Sequence, residues 1–333
     1  MNIDKVLLKI RPFTTESEKK IFTMKVKNHT INIVIALLRT IFLVTLGFLV
    51  LYPVFYMLSR SFMPSSYAAM DPSIVWLPKQ FSIDNLKMAI MALGYWKSLG
   101  TTIGVEVISG MIQVLTCAVA AYGLSRFKFK GQGVLFVLVM LTIIIPPQAI
   151  IIPMYLNDVH LDFFGILGFL NKLSGIDIRP NIIDTPFTFY LPAVFGAGYR
   201  SGLFIFIYKQ FFKGLPRELE EAAWIDGLGP LKTFLYIVIP TSGSAILCVS
   251  IFSIIWHWNE YYLSAMLLFN MRPLSVSLDM MSDTLWNVFY LKGELALNAS
   301  LAGCLLVILP VLLLYLWLQK FFMQSIERVG IVG

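Results

Sequence analysis

The most informative functional pattern in the sequence lies in one stretch, 213–232. Pro216 suits the first position of a helix, because its missing N–H would be unpaired there in any case. Gly227 suits the position just after a helix, because glycine adopts a left-handed backbone without a Cβ clash. The helix dipole stabilises acidic side chains near the start of a helix, and three lie there: Glu218, Glu220 and Glu221.

This stretch predicts a short helix over 216–226, about 16 Å long at 1.5 Å per residue. It is too short and too charged to cross a bilayer. One face combines Leu219, Ala222, Ala223 and Asp226, and the two alanines let another protein surface approach closely. The pattern favours a mechanical coupler. The alternative is an amphipathic helix lying on the bilayer, which the acidic face disfavours because the cytoplasmic leaflet is negative.

Other chemistry is missing from the sequence. A phosphate-binding loop needs Gly followed by Lys, and no Gly in the chain is followed by Lys. The sequence therefore offers no recognisable motif for ATP hydrolysis, and we expect no enzyme activity and no bound cofactor or metal here. The histidines and cysteines are too scattered for a catalytic or metal site: His29, His160, His257, Cys117, Cys248 and Cys304.

The composition indicates a membrane protein. Of 333 residues, 58% are hydrophobic and 14% are charged, against about 25% charged in soluble domains. A membrane-spanning helix needs about 20 mostly apolar residues. Six segments meet this requirement, of which the fourth is the weakest because it contains Arg200: 34–58, 99–123, 133–154, 189–211, 234–256 and 297–319.

Basic residues predict the orientation. An even number of spans puts both termini on one side, and lysine and arginine mark the cytoplasmic side. They are dense before residue 31 and in the short loop 124–132, so both termini are predicted to be cytoplasmic. The net charge of +7 then reflects orientation and implies no nucleic-acid partner. The predicted parts are a tail (1–33), a six-span domain (34–323) that contains segment 216–227, and a C-terminal tail (324–333).

Three long segments fall on the predicted outer side, 60–97, 155–188 and 258–295. They favour contact with an extracytoplasmic partner, although they could also be plain connections between spans. The aromatic residues that end the fifth span fit either a membrane-interface belt or stacking on a sugar, with Asn259 binding hydroxyl groups. The candidate pathway residues are Trp256, Trp258, Asn259 and Glu260.

Among the charged residues inside predicted spans, Glu106 in the second and Arg200 in the fourth raise the question of a functional role. A charge at the centre of the bilayer is costly. We predict that Glu106 packs or pairs with another helix. For Arg200 we predict a salt bridge, or a side chain that extends to the interface, over contact with a substrate. The spacing Gly198-x3-Gly202 predicts close helix packing.

The residues also carry a family resemblance. Glu221-Ala222-Ala223, Gly227 and Ile237-x-Ile239-Pro240 match the EAA loop of ABC importer permeases, E-A-A-x3-G-x9-I-x-L-P, with Ile239 in place of leucine. Further segments resemble the carbohydrate permeases, most closely the smaller six-span permease of the maltose type. The resemblance covers about residues 35–333, and these segments are Ala120–Gly131, Pro146–Tyr155, Trp258–Glu260 and Leu309–Pro310.

The resemblance implies an all-α, type I importer permease in a bacterial or archaeal plasma membrane. It implies a second permease, two ATPase subunits that bind ATP and Mg, and an extracytoplasmic binding protein that delivers a di- or oligosaccharide. In that family the EAA helix sits in a cleft of the ATPase, with the residue at Glu221 pairing with a basic side chain. The implied coupling residues are Leu219, Glu221, Ala222, Ala223, Asp226, Gly227 and Pro240.

Alternatives stay open at this point. The EAA loop alone would also suit an importer of another solute class, such as amino acids or glycerol phosphates. An ion-driven secondary transporter usually has internal repeats and paired charges at the membrane centre, which the sequence lacks. The chain departs from the family in its longer N-terminal tail and in an expanded loop over 160–188, which leaves the docking of partners open.

Overall fold

The structure is a computed structural model that describes residues 16–64, 78, 80–162 and 165–330, and its regular elements there are all helical. The chain separates into two units, 1–56 and 57–333. The described part of the first unit belongs to one helix, α1 (Glu16–Ser61), which continues into the second. No side chain from Lys27 to Leu58 is buried, and the apolar ones suit contact with lipid.

The first half of the second unit contains the helices of the predicted second and third spans and the shorter helices next to them. They are α2 (Asp84–Leu93), α3 (Tyr95–Thr101), a π-helical segment (Thr102–Val107), α4 (Ile108–Arg126), α5 (Gln132–Ile144), α6 (Pro147–Val159) and α7 (Ile166–Ser174). The α3, π-helical and α4 segments form one continuous helix, Tyr95–Arg126.

The second half contains the predicted coupling segment and the last spans. Its elements are α8 (Phe187–Val194), α9 (Ser201–Gly214), α10 (Glu218–Ile225), α11 (Pro230–Thr233), a second π-helical segment (Phe234–Val238), α12 (Ile239–Thr241), α13 (Gly243–Trp258), α14 (Tyr262–Leu267), α15 (Leu274–Asp279), α16 (Met281–Asn287) and α17 (Gly293–Gly330).

Three helices among the described residues are long and apolar enough to cross a membrane unbroken: Lys27–Ser61, Tyr95–Arg126 and Leu295–Lys320. The predicted third span is two helices, α5 and α6, which meet at 105°. The break falls at Pro146, because the residue before a proline avoids the helical region and Ile145 is extended. The predicted fifth span likewise bends by 81° between Thr241 and Gly243.

The prediction of one continuous helix over 189–211 was wrong. The structure has α8 and α9 there, joined by a turn in which Gly196 and Arg200 have φ values of 66° and 63°. Left-handed residues end a helix, so apolar composition alone overestimated its length. By length and composition, the described residues provide three to five spans rather than six.

The core of the second unit lies where α4 packs against α9 and α13. Its largest fully buried side chains include Phe204, Tyr208 and Phe212 on α9. Close packing at Gly202 occurs as the glycine spacing predicts: a Cβ there would lie 2.2 Å from Thr142 Oγ1 and 2.8 Å from the Val139 carbonyl oxygen. Gly198, in contrast, lies in the turn before α9.

The predicted outer segments are linked to each other through Asp184. Its Oδ1 accepts the N–H groups of Asn270 (2.9 Å) and Met271 (3.1 Å), and its N–H donates to the Leu267 carbonyl (2.8 Å). Segments 155–188 and 258–295 are therefore one bonded surface. Most of the loop 60–97 that we predicted as an outer segment is described, except residues 65–77 and 79.

The helices at both ends of the chain extend beyond the predicted first and sixth spans. Helix α1 begins at Glu16, inside the predicted tail 1–33, and α17 continues to Gly330, inside the predicted tail 324–333. Residues 1–15 and 331–333 lie outside the described part.

Candidate functional site

The predicted coupling segment is helix α10, Glu218–Ile225, which begins two residues later than the sequence suggested. Its end is fixed by two backbone hydrogen bonds. The Gly227 N–H donates to the Trp224 carbonyl (3.0 Å), and the Leu228 N–H donates to the Ala223 carbonyl (2.9 Å). This pair of bonds is a Schellman motif. Gly227 has the φ of 83° that the motif requires, so the helix stops sharply and α11 begins at Pro230.

Helix α10 is attached to the end of α4 by a buried ion pair. Arg126 Nε lies 2.6 Å from Glu220 Oε1, and both side chains are 5% exposed. Tyr122 OH donates to Glu220 Oε2 (3.2 Å), and Arg126 Nη2 donates to the Leu215 carbonyl (2.9 Å). One guanidinium therefore holds both α10 and the segment that leads into it.

The exposed surface of α10 differs from the predicted face. Ala223 is buried against the chain itself, next to Glu220, and so cannot belong to a surface that receives a partner. Glu221 and Ala222 are exposed, and Ile225 is 87% exposed. Leu219 and Asp226 are also exposed, at the edge of this surface. We call Glu221, Ala222 and Ile225 the α10 face.

Aromatic packing connects α4 to the segment that follows α10. The Tyr122 ring lies 5.0 Å from the Phe234 ring and 6.3 Å from the Phe212 ring, measured between centroids. Phe234 opens the second π-helical segment. Pro240 lies just after this segment, at the start of the 81° bend. Pro240 therefore lies at a helix bend and is not part of α10.

A second polar site lies inside the helix bundle. Glu106 and His257 are 0% and 2% exposed, and Glu106 Oε2 lies 3.3 Å from His257 Nδ1. Ser264 Oγ donates to Glu106 Oε1 (2.6 Å), and Ser109 Oγ lies 3.3 Å from His257 Nδ1. The first π-helical segment carries Glu106, which is paired as we predicted and joins this segment to α13 and α14.

Both ring nitrogens of His257 have partners. Gln113 Nε2 donates to Ser201 Oγ (2.7 Å), and Gln113 Oε1 lies 2.8 Å from His257 Nε2. Glu106 Oε2 lies on the other side of the ring, 3.3 Å from Nδ1. A buried polar pair that is satisfied in this way holds two helices together.

The four predicted pathway residues do not share one surface. Trp258 is buried and donates from Nε1 to the Val307 carbonyl (3.1 Å). Glu260 is buried and accepts the Leu263 N–H (2.8 Å). Asn259 is exposed but donates to the Ile255 carbonyl (2.7 Å). Trp256 is half-buried and stacks on Phe204 (5.7 Å), so each of the four has a different environment.

A cavity of about 260 Å³ lies beside this polar site, enclosed by α5, α6, α8 and α9. Arg200 is exposed and lines it, together with Gln113 and Ser201. We predicted a salt bridge or a side chain extended to the interface for Arg200. Within the described part of the chain no carboxylate oxygen lies within 4 Å of it, so the salt-bridge prediction fails there.

Two of these pairs were missed by sequence reasoning. Arg126 and Glu220 are separated by 94 positions and Glu106 and His257 by 151. Their signal in the sequence is a charged residue at the end of, or inside, an apolar span, which requires a partner without saying which one.

The sequence profile of the family described as "Binding-protein-dependent transport system inner membrane component" matches residues 113–328. The chain is 27% identical over 252 residues to the probable starch degradation products transport system permease protein of Thermoanaerobacterium thermosulfurigenes. That match covers 75% of this chain and 81% of the relative.

A second relative is the arabinooligosaccharides transport system permease protein of Halalkalibacterium halodurans, which is 22% identical over 304 residues. That match covers 90% of this chain and 98% of the relative. A solved structure has the same fold, with a TM-score of 0.64 and 22% identity over 94% of this chain and 100% of the other. That structure is of a bacterial ABC transporter involved in the import of the acidic polysaccharide alginate.

Proposed function

Because this chain belongs to the family of binding-protein-dependent transport system inner membrane components, we propose that it forms half of the translocation pathway of an ATP-driven carbohydrate importer. The other half is a second, different permease, and two ATPase subunits bind on the cytoplasmic side. In this proposal the ATPase subunits bind the ATP. A binding protein delivers the solute from outside. Both termini are cytoplasmic, and the two bent helix pairs and the α8–α9 pair complete six membrane crossings.

The observation that carries the proposal is the construction of α10. A helix of eight residues presents the α10 face outward, with Ile225 87% exposed. An apolar side chain this exposed on the cytoplasmic side favours contact with another protein. Glu221 beside it supplies a carboxylate that a basic residue of an ATPase can pair with. The face thus has the size and chemistry of a single helix that inserts into a cleft.

The ion pair explains how motion would pass from α10 into the membrane. Arg126 ends α4 and holds Glu220 at 2.6 Å with 5% exposure, so α10 and α4 move together. The cytoplasmic end of α9 follows as well, because Arg126 also bonds the Leu215 carbonyl just beyond it. Closure of the ATPase dimer on ATP would displace α10, and the pathway would change from inward-open to outward-open.

The names of the relatives support a carbohydrate as the solute. They include permeases for starch degradation products, arabinooligosaccharides, and melibiose, raffinose and stachyose. Arabinooligosaccharides, melibiose, raffinose and stachyose are saccharides of two or more sugar units. Among the candidates for another solute class, none is favoured by a contact in the described residues, so a di- or oligosaccharide is the proposed substrate class.

Two substitutions test the coupling. Glu221→Lys reverses the charge of the α10 face, and Gly227→Val prevents the left-handed backbone that ends α10. In proteoliposomes that contain the complete importer, ATP-driven uptake of the saccharide held by its binding protein is expected to fall by about tenfold or more, equivalent to about 1.4 kcal/mol.

Gly229→Val is the matched control. Gly229 has an extended backbone, and nothing lies within 4 Å of the position its Cβ would take, so uptake is expected to stay near that of the unmodified protein. Normal uptake in the Glu221 and Gly227 variants, at equal amounts of assembled complex, would contradict the proposal. So would a failure of cysteines in α10 to crosslink with the ATPase.

A further inference from the structure

Arg200 is an exposed cation that lines the cavity among α5, α6, α8 and α9. It precedes α9, whose fourteen residues (Ser201–Gly214) run toward the proposed cytoplasmic side, a length of about 21 Å. Arg200 therefore lies far from the cytoplasmic interface that α10 occupies. A charge at such a depth is costly unless an anion or water compensates for it.

The carboxylates on the neighbouring helices have other partners. Glu106 is bonded to Ser264 and paired with His257, and Glu260 accepts the Leu263 N–H. Among the residues that the structure describes, none provides a carboxylate oxygen within 4 Å of Arg200. The positive charge of Arg200 is left for something that enters the cavity.

Two aromatic rings hold the guanidinium in place. Its central carbon lies 5.2 Å from the centre of the Tyr199 ring and 5.6 Å from that of the Trp256 ring. Such contacts attract a cation but do not neutralise its charge. They restrict its rotation, which reduces the entropy lost when it binds a ligand. The guanidinium is thus positioned in advance.

The rest of the cavity wall is uncharged apart from His257, which is buried in its pair with Glu106. Neutral hydrogen-bonding groups are present, among them Gln113, Thr142 and Ser201. One cation suits a single negative charge better than a phosphate dianion. A planar guanidinium also matches a planar carboxylate in a bidentate arrangement.

We propose that this cavity binds a sugar unit that carries a carboxylate, with Arg200 pairing with the carboxylate and the polar wall bonding the hydroxyl groups. The inference deepens the proposed function and rests on it, because it specifies the solute class as acidic saccharides. The volume of about 260 Å³ is slightly below the range of about 300–1,000 Å³ for ligand pockets, so it holds one end of a saccharide.

The test uses the complete importer purified without its binding protein, so that the permease itself is probed. Titration calorimetry compares galacturonate with galactose, and glucuronate with glucose, since each pair differs in a carboxylate at one carbon. The unmodified importer is expected to bind at least one of the two acids about tenfold more tightly than its neutral partner, as charge-assisted hydrogen bonds provide.

The main variant is Arg200→Asn. Arg200 has a φ of 63°, and asparagine tolerates this left-handed backbone, so α9 keeps its start. The preference for the acid is expected to disappear while binding of the neutral sugar stays the same. Arg200→Lys is expected to keep part of the preference, because the charge remains.

Three results would overturn the inference: equal binding of acid and neutral sugar by the unmodified importer, an equal loss for both sugars in Arg200→Asn, or inorganic phosphate binding as tightly as the acids. The second would mean that Arg200 supports the structure or pairs with the other permease. ATP-driven uptake is measured on the same preparations with the binding protein added. Uptake of a neutral saccharide without any acid preference would leave the proposed function standing and remove only this inference.

Discussion

Two adjacent glutamates in α10 have opposite environments. Glu220 is 5% exposed at its side chain and contacts Arg126 and Tyr122, whereas Glu221 is exposed. Successive residues on a helix point about 100° apart, so one faces the chain and the other faces outward. The first glutamate maintains the position of α10, and we assign contact with the ATPase to the second.

Removing the inner glutamate is expected to destabilise the protein. In Glu220→Gln the Arg126 charge stays buried without a counter-charge, a loss of about 3–5 kcal/mol for buried pairs. Glu221→Gln is the matched variant, and it should leave the thermal midpoint of the permease unchanged when both variants are measured without the ATPase subunits. The double variant Arg126→Met with Glu220→Leu replaces the pair by apolar side chains and is expected to regain most of the stability. Equal midpoints for the two Gln variants would contradict this assignment.

For individual residues, the sequence predicted local helix signals better than the contacts between distant side chains. The Pro216 and Gly227 signals act locally, so the extent of α10 was predicted to within two residues. The partner of Glu220 depends on the packing of a distant helix end, which local spacing does not contain. The assignment of Ala223 to an exposed face was wrong for the same reason, since burial depends on what packs behind the helix.

Among the elements, the contact of α9 with α5 depends on the absence of a side chain at Gly202. A Cβ would lie 2.2 Å from Thr142 Oγ1 and 2.8 Å from a backbone oxygen of Val139. Overpacking of this kind costs about 1–3 kcal/mol. Gly202→Ala is therefore expected to lower the thermal midpoint of the complex.

Gly214→Ala provides the control, because it ends the same helix and has nothing within 4 Å of the added atom. Its thermal midpoint should match that of the unmodified complex. Identical midpoints for Gly202→Ala and Gly214→Ala would show that α5 and α9 do not pack as described.

The linked outer segments should be sensitive to acid. Partial burial raises the pKa of the Asp184 carboxyl, but hydrogen bonds from Asn270 and Met271 outweigh it and leave the pKa below its usual value. A lowered pKa in the folded state stabilises the protein above about pH 4, the unfolded value, and the effect is lost as pH falls through the folded pKa.

Asp184→Asn keeps the left-handed backbone of this residue, φ 61°, and removes the charge. Its thermal midpoint is expected to lie below that of the unmodified protein at pH 7, with the difference shrinking below pH 4. Thermal unfolding followed across this pH range tests the prediction. A difference that grows on acidification would refute it.

Long apolar runs predicted the existence of the elements, but not their continuity. The prolines at 146 and 147 gave a usable signal for the 105° bend. The interruption between α8 and α9 had a signal in the three glycines of this segment, of which Gly196 has a φ of 66°. Arg200 gave none, because it is a non-glycine residue in a left-handed conformation. Such a conformation is fixed by surrounding contacts and is rarely encoded by residue type.

For the molecule as a whole, the proposed orientation puts α7 and α10 on opposite sides of the membrane. A variant without Cys117, Cys248 and Cys304 would carry a single cysteine at Leu173 or at Ile225, which are 78% and 87% exposed. A membrane-impermeant maleimide is expected to label the cysteine at 173 in intact cells. The cysteine at 225 should be labelled only in inside-out vesicles from cells that lack the ATPase, because the ATPase is proposed to cover the α10 face. The reverse pattern would invert the topology and remove the coupling role of α10.

The exposed side chain of Ile225 affects the fate of copies of this protein that are not assembled with the ATPase. A chain inserted into the membrane before its ATPase arrives displays an apolar side chain, next to the 46% exposed Trp224, to the cytoplasm. Chaperones and proteases recognise such surfaces. Surplus copies are expected to be degraded quickly, so that the supply of the ATPase sets the steady-state abundance of this subunit.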